Sequence, residues 1–313
     1  MRWAKRIHFF NKELSLYLIT AIFLKKLRDN EINIKASAVA FNFTLAIFPA
    51  IIFLFTLVPY LPIDNLYDEI MAIIEQIAPS TIYGQVHETV NDIIKKPRGG
   101  LLSFGFITAL FLATNGMIAL MNAFDSCYRT NKKKRGFFKK RLIATFLTLL
   151  LASILFLTIV LLIVGRLILD AFSEFELMNK FYINLLDILR YVAVILMFFL
   201  SNSVIFYLAP SINRRWSFFS VGSIIATGLS ILVSVLFSFY IDNFGMYNKV
   251  YGSIGAMIGV MVWILAISNV LLIGFEINTT VETAKSHLKR LERQLEKEID
   301  ASMGKGWSEL RKD

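Results

Sequence analysis

The chain has 313 residues, is 56% hydrophobic and carries a formal net charge of +10. Its mean hydropathy of +0.62 lies far outside the range of soluble globular domains. A single cysteine, Cys127, excludes an intrachain disulfide and any CxxC pair. His8, His87 and His287 fall far apart in the predicted topology, so neither metal nor cofactor is expected.

In chain order, residues 1–35 read as a cytoplasmic amphipathic segment. Ile7, Phe10, Leu14, Leu18 and Ile22 recur at helical spacing, with Lys5, Arg6, Lys12, Lys25 and Lys26 around them. Such a helix either adsorbs to anionic headgroups or packs on the end of its own bundle. Six runs without Asp, Glu, Lys or Arg follow: Ala38–Tyr60, Leu101–Asn122, Leu142–Val164, Tyr191–Ala209, Phe218–Ile241 and Ile254–Phe275. A bilayer core about 30 Å thick needs about 20 apolar helical residues per crossing. The fold class is therefore an all-α polytopic bundle with six transmembrane helices, occupying residues 36–278.

In the first span Pro49 removes a backbone donor and predicts a kink. The loop after Tyr60 carries two apolar stripes at helical spacing, around Leu66–Ile77 and Ile82–Ile94, and so two short amphipathic helices are expected there. The run Asn131–Arg135 reads as a basic loop that fixes orientation and touches anionic lipid. RNA binding would need aromatic stacking partners as well, and the flanking Tyr128, Phe137 and Phe138 are more simply anchors at the membrane interface. Gly252, Gly255 and Gly259 in the last span place small residues where a neighbouring helix can approach closely. Beyond Phe275 the helix is expected to continue into a cytoplasmic tail, residues 279–313.

Charge sets the orientation. With the N-terminus inside, 26 Lys and Arg fall on the cytoplasmic side and 7 outside, which puts both termini in the cytoplasm. Two short similarities hint at internal order. Leu54-Phe-Thr-Leu-Val-Pro59 resembles Ile205-Phe-Tyr-Leu-Ala-Pro210, and the Ser103–Ala109 pattern resembles Ser220–Ala226. Three spans per half would make a 3+3 inverted repeat. Chance likeness between apolar segments is the competing reading.

No run of the six contains a carboxylate or a base, so functional candidates are polar but uncharged. Asn42, Asn115, Asn122, Asn202 and Asn269, with Pro49 and Pro210, are the candidates for lining a substrate cavity. The simpler role for each asparagine is an interhelical hydrogen bond, worth about 0.6 kcal/mol on average. Arg129, Arg141, Glu276 and Asn278 are candidates at the cytoplasmic interface, where Glu276 either pairs with a basic residue such as Arg129 or is solvated. There is no HExxH, GxSxG or P-loop, and no tight carboxylate group for two metal ions, so no enzyme is expected.

Four segments carry a family likeness. They are Ile34–Pro49, Asn122–Arg129 with the basic loop and Arg141 beyond it, Tyr207–Pro210, and Tyr251–Asn278. On these the chain resembles the YihY/BrkB family of bacterial inner-membrane proteins, once labelled ribonuclease BN. Asn42 and Ala46 stand where that family commonly shows Tyr and Ser. The resemblance implies a multi-pass inner-membrane protein without established activity, and by analogy a role in handling an envelope lipid. A transporter or flippase-like protein for an amphipathic component is the leading expectation. The alternatives are a non-catalytic scaffold for envelope proteins and, less favoured, a membrane ribonuclease. Expected partners are membrane lipids with anionic headgroups, and further envelope proteins or a second copy of the chain; no nucleic acid is expected.

Overall fold

The computed structural model describes residues 16–29, 31–60, 99–128, 135–173, 180–212, 217–242 and 253–309. The two amphipathic helices expected after Tyr60 lie outside these residues, as do Arg129 and Gly252. Among the described residues there are seven helices longer than one turn: α1 (Leu16–Asp29), α2 (Ile32–Leu57), α3 (Gly99–Cys127), α4 (Phe137–Ser173), α5 (Lys180–Leu208), α6 (Val221–Asp242) and α7 (Ser253–Glu309). Six of them, α2 to α7, are long and apolar enough to cross a membrane.

The helices outrun the charge-free stretches that announce them. α2 starts at Ile32 rather than Ala38, and α7 runs unbroken for 57 residues, past the end of its span into the expected tail. Nothing in helix geometry requires a break at a membrane boundary, since every interior N–H is already paired within the helix. α2 also continues through Pro49 as helix. The end turns consequently carry charge, with Lys35 on α2, Asp125 on α3, and Lys140 and Arg141 on α4, while Glu276 follows the charge-free stretch in the middle of α7.

Each span packs on its neighbours in sequence, and α7 closes the series against α2, so the six form a ring. α1 lies against α7. The turn from α1 into α2 is tight, and Glu31 takes a positive φ of 47° to make it. The Glu31 carbonyl accepts from the backbone N–H groups of Ile34 and Lys35, starting α2.

The core is confined to one end. It is built from the first turns of α2 (Ile32, Ala36, Val39), α4 (Ala144, Leu147) and α6 (Ala226), the last turns of α3 (Met117–Cys127) and the end of α5 (Val204–Ala209), and a mid-helix stretch of α7 (Val270–Phe275). This is also the end where α1 docks. At its centre Phe124 stacks on Phe275 at 4.2 Å between centroids, and Phe206 meets Phe124 edge-on at 5.8 Å. Farther along the spans large apolar side chains point outward, among them Phe104, Phe156, Leu236 and Phe239. An aqueous surface rarely carries so broad an apolar face, whereas hydrocarbon accepts it freely.

Candidate functional site

Two of the interface candidates, Glu276 and Asn278, lie buried at this closed end. Glu276, on α7, is fully buried and forms a 3.3 Å ion pair with Lys26 of α1, whose side chain is 22% exposed. The Lys26 ammonium also donates to Thr279 Oγ1 at 2.9 Å, and that hydroxyl lies 3.0 Å from Glu276 Oε1. One partner of Glu276 is thus a lysine of the amphipathic helix. Next to it, Lys35 points its ammonium at Cys127 Sγ, 3.7 Å away. One helical turn beyond Glu276, the hydroxyl of buried Thr280 has no hydrogen-bond partner among the described residues.

Asn278 joins two spans. Its Oδ1 accepts from the Gly222 N–H at 2.7 Å and its Nδ2 donates to Ser220 Oγ at 2.9 Å. Ser220 and Ser223 cap α6 reciprocally, each hydroxyl accepting from the other's backbone N–H. The first-turn donors of Gly222, Ser223 and Ile224 are therefore satisfied without water. Such an arrangement needs close backbone approach. A Cβ on Gly222 would come within 2.1 Å of the Gly274 carbonyl, and one on Gly274 within 2.7 Å of Ala226. Gly255 and Gly259 are buried too, but a Cβ on Gly259 would meet only ordinary side-chain contacts at 3.4 Å or more.

Asp125, on α3, binds the start of the next connection. It accepts from the Ser211 N–H at 2.9 Å and the Ser211 hydroxyl at 3.0 Å, and pairs with Lys140 at 3.2 Å. Arg135 then donates to the carbonyls of Leu208, Ala209 and Pro210, closing the C-terminal end of α5, where unpaired carbonyls favour a cation. Asp125 and Lys35 are not among the sequence candidates, and Lys26 and Arg135 enter there only as basic residues of the amphipathic helix and the loop. The available signal was charge on otherwise apolar end turns.

The five asparagines are dispersed through the bundle. Asn42 and Asn269 donate to carbonyls of their own helices, Ala38 and Leu265. Buried Asn202 donates to Thr227 Oγ1 across α5 and α6. Asn122 accepts from Lys140 and Asn115 from Arg141. Pro49 is half-buried within α2, and Pro210 is buried. None of these residues lines the open groove of about 270 Å³ that lies between α2, α3 and α4. That groove is walled by Phe43, Ala46 and Ala50, by Phe106, Leu110 and Ala113, and by Thr148 and Ala152. Phe106, Leu110 and Ala113 continue, at helical spacing, the same α3 face that carries Met117, Leu120 and Phe124 into the core. The groove begins where core packing stops.

Among the described residues no group of three His, Cys, Asp or Glu could hold a metal ion. The chemistry of this end is structural: charge pairing, helix capping and close packing of α3, α5 and α7. All four segments of the family likeness meet there, through Lys35, Asp125, Pro210, Glu276 and Asn278.

Comparison with known proteins agrees. A family model described as virulence factor BrkB matches residues 23–298. A protein of Bacillus subtilis (strain 168) named putative ribonuclease-like protein YfkH is 32% identical over 251 residues, 80% of this chain and 90% of that one. UPF0761 membrane proteins of Tolumonas auensis and Vibrio campbellii are 23% and 24% identical, covering 90% and 82% of this chain and 89% and 80% of theirs. No solved structure matches. With six apolar spans, a knitted polar end and a family match from residue 23 to 298, the chain belongs to the BrkB/YihY family of multi-pass membrane proteins.

Proposed function

We propose that the protein handles an amphipathic lipid of the cell envelope, in the manner of a transporter or flippase, with its α1 end in the cytoplasm of a bacterial inner membrane. The observation that carries this reading is the apolar groove between α2, α3 and α4, set beside a core that closes only one end of the ring. Its volume, about 270 Å³, is at the low end for organic ligands and suits one hydrocarbon chain. Exposed Lys25, Arg28 and Lys139 near the α1 end supply attraction for anionic headgroups, about 1 kcal/mol each close to the surface. The ring order of the spans is also the one that two inverted three-span halves would give.

The direct test is reconstitution into liposomes carrying a fluorescent phospholipid, with an impermeant quencher outside. Quenching should proceed past the outer-leaflet fraction faster than in protein-free vesicles. Equal rates with folded protein present would overturn the transport reading. One observation favours the rival reading of a non-catalytic scaffold: each of the five candidate asparagines is already hydrogen-bonded within the protein. A lipid-inactive protein that co-purifies in fixed ratio with another envelope protein would support it. We infer no nuclease activity. RNA cleavage by purified protein, dependent on divalent metal and lost on removal of a named carboxylate, would reverse that.

A further inference from the structure

We propose that Arg141 and the α2/α3/α4 groove form one binding site for an anionic glycerophospholipid, its phosphate on the guanidinium and one acyl chain along the groove. The inference deepens the lipid-handling reading and rests on it.

The first observation is the direction in which Arg141 points. It occupies the second turn of α4, at the α1 end of that span. A long cationic side chain in such a position ordinarily snorkels outward to the headgroups. Arg141 does the reverse. Its guanidinium donates to Asn115 Oδ1 and to the Phe111 carbonyl, and lies 4.3 Å over the Phe111 ring. Those residues sit near the middle of the 29-residue α3, so the charge is held toward the bilayer interior.

The second observation is charge balance. Lys140, the preceding residue, has Asp125, and Lys26 has Glu276. Among the described residues no carboxylate pairs with Arg141. A neutral amide, a carbonyl and a ring face orient a guanidinium but leave its charge uncompensated. An ionised side chain at this depth is costly and marks a place where a counter-charge is supplied from elsewhere. Arg141 is half-buried, and its guanidinium is a planar fork suited to two oxygens of one phosphate.

Third, the groove shares a helix face with this charge. Arg141, Thr148 and Ala152 recur at seven and eleven residues along α4, and the latter two line the groove. The rise from Arg141 to Thr148 is about 10 Å, within reach of a glycerol backbone joining phosphate to acyl chain. The walls are alanine, leucine, isoleucine and phenylalanine apart from Thr148, whose hydroxyl already donates to the Ala144 carbonyl, so they offer little to a polar ligand and a good surface to hydrocarbon. One phospholipid satisfies both halves at once. A soluble phosphate satisfies only the first.

The test is native mass spectrometry of the full chain in detergent, with phosphatidylglycerol, phosphatidylcholine or inorganic phosphate added. Wild-type protein should retain phosphatidylglycerol in preference to phosphatidylcholine, and inorganic phosphate should not displace it. Arg141→Gln should lose that preference by about tenfold, with Arg141→Lys intermediate. Ala152→Phe replaces an exposed alanine and is expected to fold; it should weaken retention of both lipids. Unchanged phosphatidylglycerol retention in either Arg141→Gln or Ala152→Phe would overturn the site, as would displacement by inorganic phosphate. Retention that depends on Arg141 without any lipid movement in liposomes would leave this site standing and remove the transport reading instead.

Discussion

At the scale of single residues, the Lys26–Glu276 pair is unequal in burial, and the inequality has consequences. Glu276 is 0% exposed and cannot reach water; Lys26, at 22%, can swing outward. Removing the partner of a buried charge costs about 3–5 kcal/mol, whereas removing the buried charge itself leaves a cation that can be solvated. Lys26→Met should therefore lower the unfolding midpoint in detergent more than Glu276→Gln does. The opposite order would mean that Glu276 is held mainly by groups other than Lys26. A second residue-scale outcome concerns Tyr128, which follows α3 and donates to Glu282 Oε1 at 3.1 Å. Burial first, then the Glu282 charge and hydrogen bond, push its phenol up from 10.0 to about 12. An acid whose folded value is raised contributes stability that is whole below pH 10 and is lost as pH climbs through about 12. The phenolate absorbance difference between wild type and Tyr128→Phe should have its midpoint near pH 12. In Glu282→Gln the midpoint should move back toward 10, short of it because burial persists.

At the scale of elements, α6 and α7 are joined by the Gly222–Gly274 approach and by Asn278 at the first turn of α6. A Cβ at position 222 would overlap a backbone carbonyl, which cannot rotate away as a flexible side chain would. Gly222→Ala should force the helices apart, break both Asn278 hydrogen bonds and prevent recovery of folded protein. Gly259→Ala should be tolerated, since its neighbours are Phe237, Tyr240 and Ile241 side-chain atoms at 3.4 to 3.7 Å. Folded Gly222→Ala beside misfolded Gly259→Ala would place the critical crossing at the outer glycine instead. This pair also shows what the sequence could tell. A glycine pattern within one helix is visible as spacing, so Gly255 and Gly259 stood out. Gly222 and Gly274 belong to different helices, and only folding reveals that they face each other. The spans were legible for the converse reason: absence of charge over twenty residues is a local property with a large energetic consequence. The polar end was not, because its bonds join residues far apart in the chain. Asp125 reaches Ser211, 86 residues on, and Lys26 reaches Thr279, 253 residues on. Glu276 was noticed, but helix α1 as its partner could not be read from apolar periodicity.

At the scale of the whole molecule, packing is graded along the spans. The α1 end holds the buried core with its stacked Phe124 and Phe275, capped helix ends and interlocked charges, and that core does not extend to the other end. Helices in hydrocarbon gain nothing from hiding apolar surface, so association depends on close packing and polar bonds. Where those thin out, neighbouring spans are free to part. Separation of spin labels should therefore be narrowly distributed at the α1 end and broad at the other. Exposed Asn33 on α2 and Ser286 on α7 report the first, and exposed Tyr60 and Met257 the second. Cys127, at 4% exposure, is itself shielded from the label. If the groove holds an acyl chain, added phosphatidylglycerol should sharpen the broad distribution and leave the narrow one unchanged. Equally narrow distributions at both ends, with or without lipid, would describe a rigid plug, and movement of lipid through the ring would then have no structural basis.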